Sequence, residues 1–290
     1  MSATADSRLL RDSVASEWLP VVAGVLLLFV PTIYGLAGSL WTKDDFAHGP
    51  IILAVILWLI WDKRQGLLAP PSVTAPIAGF LVLLFGLLFY ILGRSQDILI
   101  FEVGALAPVL AGTLLAMRGW PQFRSLAFML FFIVYLIPLP GFFVDAVTLP
   151  LKQRVSDIAA QIIYAAGYPI AQSGVVLTIG KYQLLVADAC SGLNSMFSLS
   201  ALGVLYLYLM KYKSWLHNGL IVASLLPIAF FANVVRVVIL VLITYYFGDE
   251  TAQGFVHEFS GMVLFLFALV AILGLDWLIS RLARSSKVQR

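Results

Sequence analysis

Residues 216–246 read LHNGLIVASLLPIAFFANVVRVVILVLITYY, and this stretch decides the kind of fold that the chain can adopt. It runs for 31 residues with a single charged side chain, Arg236. A helix needs about 20 apolar residues to cross the hydrocarbon core of a bilayer. The stretch therefore predicts a membrane-spanning helix that carries one guanidinium among apolar neighbours.

The composition of the whole chain supports the same class of protein. Of 290 residues, 61% are hydrophobic and 11% are charged, and the mean hydropathy is +0.99. Soluble domains carry about 25% charged residues. An outer-membrane barrel needs alternating apolar and polar residues, whereas the apolar runs here are unbroken. Because helices satisfy their own backbone in lipid, the composition predicts an all-α polytopic membrane protein.

Eight apolar segments predict spanning helices within a single membrane domain, residues 1–290. A polar cytoplasmic leader, 1–18, comes before them and a basic cytoplasmic tail, 281–290, comes after them. The second and fifth segments are short and are expected to be tilted, partly buried or extended by their flanks. The predicted spans are 19–39, 49–61, 76–93, 98–117, 125–140, 191–210, 216–246 and 257–280.

The basic residues orient these spans. With the N-terminus in the cytoplasm, 12 of the 18 Lys and Arg residues fall on the cytoplasmic side, as the positive-inside rule requires. Both termini are therefore predicted to be cytoplasmic, and segment 141–190 is predicted to lie outside. Within that segment, residues 143–167 have the spacing of an amphipathic helix. Residues 173–186 predict a short β-hairpin that turns at Gly180-Lys181.

Three side chains that could take part in catalysis are predicted to lie at the same depth, near the outer membrane surface. Cys190, the only cysteine, and His257 begin spans six and eight from outside, and Arg236 lies about 30 Å above the inner start of span seven. The start of a helix favours the thiolate form of Cys190. The imidazole of His257 could serve as general base and then as general acid. The guanidinium of Arg236 is a fixed cation that could stabilise an oxyanion. The three residues therefore predict cysteine-based acyl chemistry.

Each of the three also has an ordinary structural interpretation. A free cysteine in a membrane helix often fills space as a small apolar side chain. An arginine close to the interface extends to reach water. A histidine at the membrane interface needs no special role. The catalytic interpretation depends on the three residues meeting in one pocket.

Four further residues are candidate substrate-binding or supporting groups. Asn233 lies one turn before Arg236 and is placed to orient it. Ser191 follows the cysteine and, with Gly192, lets the backbone approach a substrate carbonyl. Asp188 is an acid of the outer loop with a competing role in the turn. His48 opens the second span, where a structural role competes with a catalytic one.

The remaining polar residues are not assigned to the site. His217, beside Lys211 and Lys213, is predicted to be a solvated flank on the inner side. No metal is expected, because the outer residues lack a spaced pair of His or Cys ligands. No cofactor and no nucleic-acid partner are expected either.

Taken together, these motifs resemble the exosortases, polytopic membrane transpeptidases of the exosortase/archaeosortase group. The resemblance covers about residues 40–280, and residues 192–197 are similar to the B type. It rests on His48-Gly49, Ile137-Pro138-Leu139-Pro140, Ala189-Cys190-Ser191-Gly192, Asn233-Val234-Val235-Arg236-Val237 and His257.

The resemblance implies a substrate, a mechanism and a location. The substrates would be exported proteins of Gram-negative, exopolysaccharide-producing bacteria that end in a Pro-Glu-Pro motif, a transmembrane helix and a basic tail. Cys190 would cleave near the motif through a thioester, with Arg236 and His257 as partners. The site would face the periplasm from the inner membrane, in contact with membrane lipids.

Two other classes of function remain open from the sequence. One is a transporter or flippase for a lipid-linked sugar, because charged residues within spans often mark pathways. Against it, the polar groups cluster at one face and the chain shows no repeated halves. The other is a non-catalytic assembly protein of an envelope complex. The oligomeric state is not predicted.

Overall fold

The computed structural model describes residues 2–43, 46, 48–68, 74–139, 141–185, 192–212, 214–248, 252 and 265–281. Within these ranges the side chains of 2–15, 141–145, 147–148 and 192–196 are not described. The chain divides into two compact units, Met1–Pro140 and Gly141–Arg290.

The first unit is helical over its described residues. Its longest helix, α1, buries Phe29, Thr32 and Leu36 along one stripe. A break at Ala105 separates α5 from α6, and α6 kinks at Gly119, whose φ is 75°. The helices are α1 (Ser2–Gly38), α2 (Gly49–Asp62), α3 (Arg64–Leu67), α4 (Pro76–Ser95), α5 (Leu99–Gly104), α6 (Leu106–Ser125) and α7 (Ala127–Phe132), followed by a 3-10 turn at Ile133–Leu136.

Glycines let α4 lie directly against the backbone of the α5–α6 segment. A Cβ added to Gly86 would come within 2.8 Å of the backbone nitrogen of Val109. The contacts repeat every seven residues on both sides, which keeps one face of each helix at the seam. Small residues permit this close approach between membrane helices. The facing pairs are Gly79 with Ala116, Gly86 with Val109, and Gly93 with Glu102.

A buried carboxylate joins α1, α4 and α5 at one end of this seam. Glu102 is 3% exposed, and its Oε1 accepts hydrogen bonds from Thr32 at 2.5 Å and from Arg94 at 3.1 Å. At another point of the unit, Arg118 is 2% exposed and donates to the carbonyl of Leu67 at 2.8 Å. Arg118 also pairs with Glu17 at 3.3 Å. Glu102 and Arg118 thus each have a partner of opposite charge, as a low-dielectric interior requires.

The helical membrane architecture is confirmed, but the count of eight spans is not. Ser16–Gly38, Pro76–Ser95, Leu99–Ser125 and Trp215–Phe247 are long and apolar enough to cross a bilayer. Gly49–Asp62, Ala127–Leu136 and Phe197–Met210 are apolar but shorter. At 1.5 Å per residue, 14 residues rise about 21 Å, less than the hydrocarbon core of about 30 Å.

The described residues of the second unit form four helices and a small sheet. Helix α8 (Gly141–Ala165) confirms the helix predicted over residues 143–167. It is followed by β1 (Ile170–Ser173), β2 (Val176–Ile179) and β3 (Tyr182–Leu185). Then come α9 (Gly192–Met210), α10 (Trp215–Phe247) and a helix over residues 265–281, here α11.

The predicted hairpin is present, and it belongs to a larger sheet. Strands β2 and β3 pair antiparallel around Gly180, whose φ of 58° suits a residue without a Cβ. Strand β1, which was not predicted, pairs antiparallel with β2. The sheet packs on α8 and α10 through a fully covered cluster: Val155, Ala159, Ala160, Ile163, Leu177, Ile179, Val234, Val237 and Val241.

Candidate functional site

The structure describes three of the seven candidate residues. Arg236 and Asn233 lie in α10 of the second unit, and His48 lies in the first unit. Cys190, Asp188, Ser191 and His257 lie outside the described residues.

Arg236 and Asn233 are brought together inside the fold. They lie one turn apart on α10, each is 5% exposed, and each has an interaction partner. A side chain that ran along the lipid-facing surface toward water would be far more exposed. The interpretation of Arg236 as a residue that extends to the interface is therefore wrong, because protein covers it.

Arg236 continues a buried stripe that faces α9 and α11. The stripe is spaced by three or four residues, the period at which one helix face repeats. Between the start of α10 and Arg236, two layers of apolar contacts join the three helices. The first contains Ile221, Leu225 and Ile272, and the second contains Leu199, Ala229, Ala232 and Ala268. Small side chains dominate the second layer, so the helices approach closely just before Arg236.

The opposite side of α10 is equally covered. Val234, Val237 and Val241 pack against α8 and β2. Because both sides of α10 are occupied, packing excludes a large rotation of this helix and keeps Arg236 inside the fold. A guanidinium held in this way is a preorganised cation in a water-poor environment. Such a group stabilises a thiolate or a developing oxyanion more strongly than it would in water.

His48 is the residue directly before α2, in the first unit. It is half-buried and has an interaction partner, and burial lowers the pKa of its imidazole. The glycine after it, Gly49, is in direct contact with the indole of Trp41, where a Cβ would clash. The pair His48-Gly49 thus has a local packing reason in the contact with Trp41.

A polar cluster that the sequence analysis missed lies at the other end of the three helices. His217 is 8% exposed rather than solvated, so the prediction of a solvated flank is wrong. Its Nε2 lies 2.7 Å from Oδ1 of Asp276, which is 9% exposed. Tyr206 and Tyr212 donate to Oδ2 of Asp276 at 2.9 Å and 2.8 Å. We call these four residues the Asp276 cluster.

The Asp276 cluster is internally satisfied. Tyr212 also packs its ring on His217, with centroids 4.2 Å apart. Burial, followed by the hydrogen bond to Asp276, raises the pKa of Tyr212, so this hydroxyl keeps its proton and donates it. The signal in the sequence was Asp276 itself, an acid within a predicted apolar span, which calls for a buried partner.

The described residues contain no group of three His, Cys, Asp or Glu side chains arranged to hold a metal ion. Those near Arg236 therefore offer a cation and an amide. A cation and an amide can together stabilise an anion.

Comparison with known proteins gives one match. A family model described as transmembrane exosortase matches residues 40–274. The matched range includes His48, Cys190, Asn233, Arg236 and His257. No curated protein and no solved structure matches the chain significantly.

Proposed function

The chain belongs to the transmembrane exosortase family, and we propose that it is a membrane-embedded cysteine transpeptidase acting on exported proteins with a C-terminal sorting signal. Its catalytic residues are Cys190, Arg236 and His257. The observation that carries this proposal is the burial of Arg236 at the end of a packed three-helix stripe. A covered cation on a fixed helix is costly unless it has a task or a structural partner.

Sequence spacing supports the meeting of the three residues. Arg236 lies 19 residues after His217, and His257 lies 19 residues before Asp276. His217 and Asp276 are in contact, and in the helices predicted over 216–246 and 257–280, 19 residues would rise about 28 Å. Cys190 lies 16 residues before Tyr206, an axial rise of about 24 Å in a helix. We propose that the three candidate residues converge at this height.

The reaction begins with attack by the Cys190 thiolate on the scissile carbonyl. A carbon–sulfur bond forms, and the carbonyl electrons move to the oxygen, where Arg236 stabilises the negative charge. The carbon–nitrogen bond then breaks while His257 gives a proton to the leaving amine. An amine, a hydroxyl or water attacks the thioester, His257 takes its proton, and the carbon–sulfur bond breaks.

The substrate is a protein anchored by its own helix, with a Pro-Glu-Pro motif before that helix and a basic tail after it. The basic tail stays in the cytoplasm by the positive-inside rule. The motif then emerges at the periplasmic side. Binding of the substrate helix within the bilayer aligns the scissile bond without a search in three dimensions.

The test is processing of a Pro-Glu-Pro-tagged substrate by the Cys190→Ala variant. We expect processing to be lost at normal expression, while Ser200→Ala, a variant in α9, keeps it. Mass spectrometry of the parent should find a substrate fragment attached to Cys190. Normal processing by Cys190→Ala would overturn the proposal. Uptake of a lipid-linked sugar by proteoliposomes that resists Cys190 alkylation would favour transport instead.

A further inference from the structure

The Asp276 cluster joins the three helices on which the proposed reaction depends. Tyr206 is in the last turns of α9, His217 is in the first turn of α10, and Asp276 is near the end of α11. Its carboxylate accepts from Tyr206, Tyr212 and His217, so one side chain contacts both other helices and the turn between them.

Two further contacts tie the turn between α9 and α10 to the cluster. The side-chain amide of Asn218 donates to the backbone oxygen of Tyr212 at 3.1 Å. The hydroxyl of Ser214 accepts from the backbone nitrogen of His217 at 3.3 Å and caps α10. The cluster therefore holds the connection as well as the helices.

Directional contacts fix a helix in ways that apolar packing does not. A leucine layer tolerates small slides and rotations of a helix, because apolar contacts have no preferred direction. Charge-assisted hydrogen bonds to one buried carboxylate have narrow distance and angle ranges. Losing one of them leaves a buried polar group without a partner, which opposes movement in any direction.

The contact layers carry this restraint along the bundle. From the cluster, the shared stripe passes through Ile221 and Leu225, then through Ala229 and Ala232, to Arg236. Gly203 of α9 is in direct contact with the Leu225 side chain, where a Cβ would clash. Such close layers transmit a shift of one helix to its neighbours.

We propose that the Asp276 cluster is a positioning device that sets the height and rotation of α9, α10 and α11 relative to one another. This alignment determines the position of Arg236 in α10 and, through the chain segments before α9 and α11, that of Cys190 and His257, so the catalytic consequence rests on the proposed function. Tyr206, Tyr212, His217 and Asp276 are positioning residues, about five helical turns from the proposed chemistry.

The geometry is tested without any assay of activity. In a Cys190→Ser background, spin labels at Phe231→Cys and Leu266→Cys, both on exposed positions of α10 and α11, report the distance between these helices. We expect Asp276→Asn to shift or broaden this distance by about 1–2 Å, the size of typical helix shifts. Tyr206→Phe with Tyr212→Phe should shift it less, because the His217–Asp276 pair remains. An unchanged distance in both would overturn the proposal.

Activity is then compared in chains that keep Cys190. We expect the Asp276 and tyrosine variants to lower kcat, by as much as about 10²-fold for Asp276→Asn, with KM little changed. The control is Glu102→Gln, which removes a similarly buried carboxylate from the first unit and should lower thermal stability while leaving the α10–α11 distance and kcat unchanged. A shifted distance with normal kcat would overturn the positioning role.

The two proposals fail in different ways. If Cys190→Ala still processes substrate, the proposed function is wrong. The spin-label distance alone then decides whether the cluster sets the relative position of α10 and α11. If Cys190→Ala is inactive and the distance does not respond to either cluster variant, the proposed function survives and the positioning device is overturned.

Discussion

A guanidinium inside a helix bundle has to be matched by an anion or by hydrogen-bond acceptors. Arg236 is 5% exposed, and it lies on a helix whose two sides are packed by apolar clusters. The side chain is therefore held in place before any substrate arrives. This preorganisation is the physical reason to assign Arg236 to charge stabilisation.

Arg236 provides a direct test at the scale of a residue. We expect Arg236→Gln to lower the rate of substrate processing about 10²- to 10³-fold, because the oxyanion loses its cation. Arg236→Lys should recover part of the rate, since the charge remains but the guanidinium geometry is lost. Rates are measured in detergent or nanodiscs at equal protein.

The control is Arg281→Gln, which removes a cation that stacks on Trp277 at 4.3 Å and has no assigned role in the site. It should process substrate normally. Normal processing by Arg236→Gln would remove Arg236 from the reaction and leave it a structural ion.

Single residues also show what the sequence predicts and what it does not. Arg236 stood out because a charge interrupts an apolar run, and its burial follows from the same run. His217 was misassigned, because two lysines nearby suggested water, while its partner, Asp276, lies 59 residues further along the chain. Contacts between distant segments depend on how helices pack, which local composition does not specify.

Between elements, Gly79, Gly86 and Gly93 bring the backbone of α4 into direct contact with that of the α5–α6 segment, and we call these contacts the glycine seam. A side chain at Gly86 would meet the backbone of Val109 rather than a flexible side chain. A backbone inside a helix has no room to give way, so the two helices must separate. Larger side chains at Gly79, Gly86 or Gly93 should therefore destabilise the packing of α4.

This sensitivity predicts a contrast between two glycines of membrane helices. We expect Gly86→Leu to destabilise the protein by about 1–3 kcal/mol, the usual cost of overpacking. Gly24→Leu should be nearly neutral, because a Cβ at Gly24 meets nothing within 4 Å. Thermal unfolding followed by tryptophan fluorescence measures both. Equal losses for the two variants would mean that the seam is not tightly packed.

The elements themselves were predictable to different degrees. Helix α8 and the turn at Gly180 followed from periodicity and turn chemistry. Strand β1 was missed because Ile170–Ser173 is only four residues long and mostly exposed. Its extended conformation is stabilised by pairing with β2, which the local sequence does not reveal. The fifth predicted span is a short helix and a 3-10 turn, a change of helix type that hydrophobicity does not reveal.

For the whole molecule, the family match and the division into units do not coincide. The matched residues, 40–274, include parts of both units. Arg236 and the segments that carry Cys190 and His257 belong to the second unit, whereas His48 belongs to the first.

The predicted orientation is tested on the intact protein. In a Cys190→Ser background, Gln183→Cys, exposed on β3, should react with a membrane-impermeant maleimide added outside intact cells. Ser285→Cys, near the basic tail, should react only after the cells are permeabilised, because the positive-inside rule keeps that tail in the cytoplasm. Labelling in the opposite pattern would invert the topology and separate the cysteine from a periplasmic substrate.

Helix α2 has a consequence for the lipid around the protein. It rises only about 21 Å, yet Ile51, Leu57, Trp58 and Trp61 are widely exposed along it. Acyl chains that meet so short an apolar surface must compress, which costs a fraction of a kcal/mol per Å of hydrophobic mismatch. Where α2 crosses the bilayer, we expect local thinning beside it and a preference for lipids with shorter chains at this flank.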